Sequence, residues 1–129
     1  MNILIVDNNR EFAEMTREYL QAQEGFHIAG MAGDGWSAYN MIVERQPDIV
    51  VLDVIMPHLD GLGLLEKMRE EAVSPKPDVI VLSGIGRHEG IIQSVLRLGA
   101  ADYMAKPIRM GVLAEKIREL AENRSSCRC

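Results

Sequence analysis

Apolar residues in this chain gather in short unbroken runs. Ile3-Leu4-Ile5-Val6, Ile49-Val50-Val51-Leu52 and Val79-Ile80-Val81-Leu82 are the clearest, and they stop at Asp7, Asp53 and Ser83. Runs of this length, rich in β-branched residues, predict strands buried on both faces, as inside a parallel sheet. Phe26 to Ala32 and Ala101 to Ala105 are weaker strand segments, the second ending at Lys106-Pro107. Between the runs, apolar residues recur at helical spacing. Phe12, Met15, Tyr19 and Leu20 mark a first helix, after the cap residues Asn8-Asn9. Ala38, Met41 and Ile42 mark the inner face of a second, from about Trp36 to Arg45. Leu64, Leu65, Met68 and Ala72 mark a third, capped by Asp60. Ile92, Val95 and Leu96 line a fourth, from about His88 to Leu98, and Leu113, Ile117, Leu120 and Ala121 line the last. Strands alternating with helices predict an α/β fold, a five-stranded parallel sheet with five helices on its two faces.

The length, 129 residues, favours one domain. The folded unit is expected over residues 1–122, with Asn123 to Cys129 a polar tail or cut linker. A net charge of −5 argues against direct binding to nucleic acid or anionic lipid. No apolar run approaches the roughly 20 residues of a membrane span. The first strand begins at once, which leaves no room for a signal peptide. Cys127 and Cys129 both fall in the tail and suggest neither a disulfide framework nor a zinc site. A cytoplasmic location fits that usage.

The polar ends of the runs carry the chemistry. In a parallel sheet, Asp7, Asp53, Ser83 and Lys106 share one edge, where open α/β sheets place their sites. Two carboxylates, the Asn8 amide, a hydroxyl and an ammonium suit a divalent cation and a phosphoryl group. Mg²⁺, or Mn²⁺ in its place, takes oxygen ligands and keeps several waters. Asp53, Asn8 and the backbone carbonyl of Ile55 can supply ligands, with Asp7 holding a metal-bound water. A carboxylate can attack phosphorus and form an acyl phosphate. Asp53 is the candidate nucleophile. The cation and Lys106 offset charge on the incoming group, and Ser83 donates to a phosphoryl oxygen.

These residues resemble the receiver domain of two-component response regulators, over residues 2 to about 122. The matching marks are Asp7, Asp53, Met56-Pro57 with Gly61, Ser83 and Lys106-Pro107. Within that family, Asp7-Asn8-Asn9-Arg10-Glu11 and Ile55 to Leu62 look closest to the receiver of the sporulation master regulator. The resemblance implies strand order 2-1-3-4-5, the flavodoxin-like doubly wound arrangement. It implies Asp53 as phosphoacceptor, Lys106 as its paired cation, Ser83 and Tyr103 as switch residues, and a cis bond before Pro107. Where the family carries two adjacent acids after the first strand, the second here is Asn8, which implies weaker Mg²⁺ binding. Ile55 and Ile85 stand where the family borders the path of the hydrolytic water. Neither can orient a water, which implies slow self-dephosphorylation. Implied partners are a histidine kinase or histidine phosphotransferase, docking in part on the first helix through Arg10, Glu11 and Glu14. A homodimer through the face of the fourth helix, fifth strand and fifth helix is also implied, as is DNA contact through a separate effector domain. No membrane partner is implied.

Two other readings stay open. A pseudo-receiver that is never phosphorylated and acts as an interaction module is kept alive by Asn8. A flavin-binding electron carrier shares the sheet order, but its phosphate would meet Asp7 in the first turn.

Overall fold

The computed structural model describes residues 1–54, 59–84 and 88–126, the side chains of 125 and 126 excepted. Ile55, Met56, Pro57, His58 and Ile85 lie outside the described residues, and with them the expected carbonyl ligand and both positions tied to hydrolysis. The elements alternate as β1 (Asn2–Val6), α1 (Arg10–Gln21), β2 (His27–Ala32), α2 (Gly35–Arg45), β3 (Ile49–Asp53), α3 (Gly61–Glu70), β4 (Asp78–Ser83), α4 (Glu89–Arg97), β5 (Asp102–Ala105) and α5 (Met110–Ser126). The strands form one sheet in the order β2-β1-β3-β4-β5, and every pairing is parallel. Fold class and strand order are therefore those expected.

Two apolar layers sandwich the sheet, because residues alternate sides along each strand. Leu4, Val6, Val50, Leu52, Val79 and Val81 face one cluster, which α2, α3 and α4 close with Ala38, Ile42, Leu64, Leu65, Met68 and Val95. Ile3, Ile5, Ile49, Val51, Ile80 and Leu82 face the other, which α1 and α5 close with Ala13, Leu20, Leu113 and Ile117. A strand buried on both sides needs no polar alternation, so the sequence runs read as continuous apolar stretches.

Helix starts follow side-chain capping. Asn9, Asp34, Asp60 and His88 each accept a hydrogen bond from a backbone N–H three residues on, at 3.1, 2.9, 2.8 and 3.3 Å. Gln46 caps α2 in the left-handed conformation, and Gly99, at φ +101°, ends α4.

The inner-face expectation for Leu96 is corrected, and other residues that mark helices by their spacing also lie outside the core. Met15 and Leu96 are 54% and 47% exposed, and Tyr19 is also exposed. On α1 the buried positions are Ala13, Thr16 and Leu20. Thr16 is tolerated in the core because its hydroxyl donates to the Phe12 carbonyl at 2.8 Å. Ala72 lies beyond the end of α3, exposed, with φ +48°. The last helix continues four residues past 122, to Ser126, and Arg124 pairs with Asp78 at 3.2 Å. Among the described residues no helix is long and apolar enough to cross a membrane.

Candidate functional site

Strand ends bring the chemistry together. Asp7 is the first residue past β1, and its backbone N–H donates to the Ala32 carbonyl at 3.0 Å. The Asn9 N–H donates to Asp7 Oδ1 at 2.9 Å, so the turn that caps α1 also fixes the Asp7 carboxylate. Asp53 is the last residue of β3, in register with Leu82 on β4. Lys106 follows β5, and its N–H donates to the Ser83 carbonyl at 2.8 Å, which ties the ends of β4 and β5.

The Lys106 ammonium reaches back across the sheet edge. It stands 2.7 Å from Asp7 Oδ2 and 3.7 Å from Asp53 Oδ2. Asp7, Asp53 and Ser83 are 6%, 8% and 0% exposed. Among the described residues, two buried carboxylates therefore stand around this one ammonium, where the dielectric constant is low. Two carboxylates with an all-oxygen donor set fit a hard divalent cation of the Mg²⁺ type, which needs only one or two carboxylates plus water. Asn8 is exposed at the head of the same loop, beside Asp7 in the chain. Asp7 and Asp53 would hold the cation, with the Asn8 amide as a neutral third oxygen.

The expected residues Asp7, Asp53, Ser83 and Lys106 thus lie at one edge of the sheet. The peptide bond between Lys106 and Pro107 is cis. Tyr103 is 6% exposed, within the cluster that contains Ile92, Val95 and Ala100.

In the sequence Phe12 is only one of the apolar residues at helical spacing on α1. Its ring stands 4.2 Å from the Lys106 ammonium, a cation–π contact that shields one side of the charge. The apolar periodicity of α1 carries no signal for such a contact, since the lysine lies far along the chain, just past β5. Gly61, one of the marks that carried the resemblance, has a packing role that the sequence pattern does not explain. A Cβ there would stand 2.6 Å from the Asp53 carbonyl oxygen and 2.8 Å from Val54 Cα, both backbone atoms. Its N–H donates to the Val54 carbonyl at 2.8 Å, so α3 starts directly against the end of β3. Gly61→Ala is expected to cost about 1–3 kcal/mol, because the backbone at Asp53 must shift to admit the methyl group. Chemical denaturation measures that loss, and an unchanged midpoint would show that the contact yields freely.

Residues 3–118 match the sequence pattern of the response regulator receiver domain. Among solved structures, the Francisella response regulator 1452 receiver domain is 28% identical with a TM-score of 0.85 and covers 95% of this chain and 98% of its own. The response regulator domain of Thermotoga maritima CheB is also 28% identical, with a TM-score of 0.84 and coverage of 93% and 95%. A CheY-like receiver domain protein from Methanospirillum hungatei is 27% identical, with a TM-score of 0.84 and 97% of both chains covered.

Proposed function

Because the chain belongs to the response regulator receiver family, we propose that it is a signalling domain whose Asp53 accepts a phosphoryl group from a phosphohistidine donor. The observation that carries this reading is the Lys106 ammonium set between the buried carboxylates of Asp7 and Asp53. A buried acid at a strand end commonly serves as a cap or loop residue. Two such acids around one ammonium, next to a buried hydroxyl, make a phosphoryl site instead.

In the proposed reaction a carboxylate oxygen of Asp53 attacks phosphorus, and the phosphorus–nitrogen bond to the donor histidine breaks. The histidine keeps the electron pair and takes up a proton. The product is an acyl phosphate on Asp53. Positioning and charge neutralisation are the protein's share of the work. A bound Mg²⁺ supplies charge neutralisation for the phosphoryl oxygens. Lys106 turns toward the new phosphoryl group, and Ser83 donates to one of its oxygens. Because the Lys106 N–H holds the Ser83 carbonyl, movement at either residue is felt at the ends of both β4 and β5. The face made by α4, β5 and α5, which includes Tyr103, is the output, and it shifts as a population between two states. A homodimer through this face and a separate DNA-binding effector domain belong to the same reading, as does a cytoplasmic histidine kinase or phosphotransferase as donor. The relatives above do not support a closer tie to the sporulation master regulator, and no sporulation role is proposed.

Intact-mass measurement after incubation with acetyl phosphate and Mg²⁺ tests the reading. A gain of one phosphoryl group is expected. An unchanged mass would favour the pseudo-receiver, for which the missing acid at Asn8 is the argument.

Two further outcomes are expected. Asn8→Asp adds a third acid to the exposed side of the site and should tighten Mg²⁺ binding severalfold, read by titration calorimetry on the unphosphorylated protein. Equal affinities would mean that position 8 does not contact the ion. The isolated phosphoprotein should also lose its label slowly, over many minutes or longer, because Ile55 and Ile85 cannot orient a water. Decay within seconds, followed with radiolabelled phosphate, would rule that out.

A further inference from the structure

On the opposite edge of the sheet from Asp53, a cavity of about 360 Å³ opens between the C-terminal ends of α3 and α4. Its size falls within the range of small-molecule pockets. Leu65, Met68, Val73, Val79 and Leu98 provide an apolar floor. Three cations, Arg69, Lys76 and Arg97, stand around it, and among the described residues no carboxylate lines it. Among the described residues, none of the three is in an ion pair, whereas Lys67, Lys106, Lys116 and Arg124 all are.

We propose that this cavity binds a small amphipathic carboxylate, its apolar body on the floor and its head group among Arg69, Lys76 and Arg97. The charge pattern supports the choice of ligand. The chain as a whole carries −5, yet among the described residues this rim carries three positive charges and no acid. Arg69 and Arg97 lie in the last turns of their helices, where a cation also offsets the carbonyl ends. Lys76 has no such role. It lies on the loop after α3, and its ammonium sits over Gly99, 2.6 Å from where a Cβ would stand. Gly99, at φ +101°, leaves open the space that the lysine head occupies. The guanidinium of Arg69 donates to the Arg97 carbonyl at 3.2 Å, which holds the two helix ends together at the rim.

The experiment is an amide-resolved NMR titration of the full chain with sodium octanoate. Matched titrations use 1-octanol, which lacks the charge, and sodium acetate, which lacks the apolar body. Saturable shifts are expected at Leu65, Met68, Val73, Leu98 and Gly99 with octanoate, and acetate should give none. The double variant Lys76→Gln/Arg97→Gln should weaken octanoate binding about tenfold or more, since charge-assisted bonds are lost, while 1-octanol binding stays as it was. Arg69→Gln provides an independent arm should the double variant lower the melting temperature. The proposal is overturned by non-saturating shifts, by equal affinity for octanoate and 1-octanol, or by unchanged octanoate affinity in the charge variants. The last two results would mean that the cations merely cover apolar surface with their stems.

Discussion

Asp53→Asn is expected to abolish labelling by acetyl phosphate while leaving the fold intact or firmer. The amide keeps the shape of the side chain but cannot act as the nucleophile. Of the two carboxylates near Lys106, Asp7 is the closer, at 2.7 Å against 3.7 Å. The variant therefore keeps the shorter ion pair and loses the repulsion between two buried like charges. A stability gain of up to about 1 kcal/mol is expected in metal-free buffer, where the repulsion is greatest. The two readouts together separate a chemical defect from a folding defect. Loss of label with an equal or higher melting temperature assigns the chemistry to Asp53. Full labelling of a well-folded Asp53→Asn protein would mean that another residue takes the phosphoryl group, and the proposed function would fail.

Lys106→Met should have the largest effect on stability. The thioether replaces most of the lysine stem and removes the charge. Asp7 and Asp53 are then left buried without their shared cation, and Phe12 loses its cation–π contact. Breaking a buried pair by removing one partner costs about 3 kcal/mol or more, because the remaining charge is uncompensated. For a chain of this size that lowers the melting temperature by on the order of 10 °C. Mg²⁺ should restore part of the loss, since a ligand that binds the folded state stabilises it by mass action. Thermal melts with a chelator and then with excess Mg²⁺ measure both effects. A melting temperature equal to that of the wild type in chelator would remove the argument that Lys106 balances the site. Failure of Mg²⁺ to recover any stability would argue against a cation held by Asp7 and Asp53.

How much of this was legible depends on the kind of residue. Capping by Asn9 and Asp60 is chemistry confined to one turn, so it reads directly from the chain. The core faces of the helices are less visible in the sequence. Met15 and Leu96 have the apolar character of core residues, yet both face solvent. Apolar spacing marks a stripe on a helix, but neighbours at three and four residues compete for the sheet, and docking decides the winner. On α1 the winner was Thr16, a residue whose hydroxyl is satisfied within its own helix and so costs little to bury. The contact of Phe12 and the packing role of Gly61 escape the sequence for a related reason. Their roles come from Lys106 and from the Asp53 backbone, which local periodicity does not register.

By itself, the sequence determined the five strands, the parallel alternation and the polar group at the end of each central run. Apolar stretches of that length have few other places to go, and the first polar residue after each must emerge at the sheet's edge. It took the packed layers to show that the lysine just past β5 reaches the acid just past β1, 99 residues away, and that two carboxylates stand around its charge. That pairing depends on strand order and on the depth of burial around the edge, and both arise only when the layers close on one another.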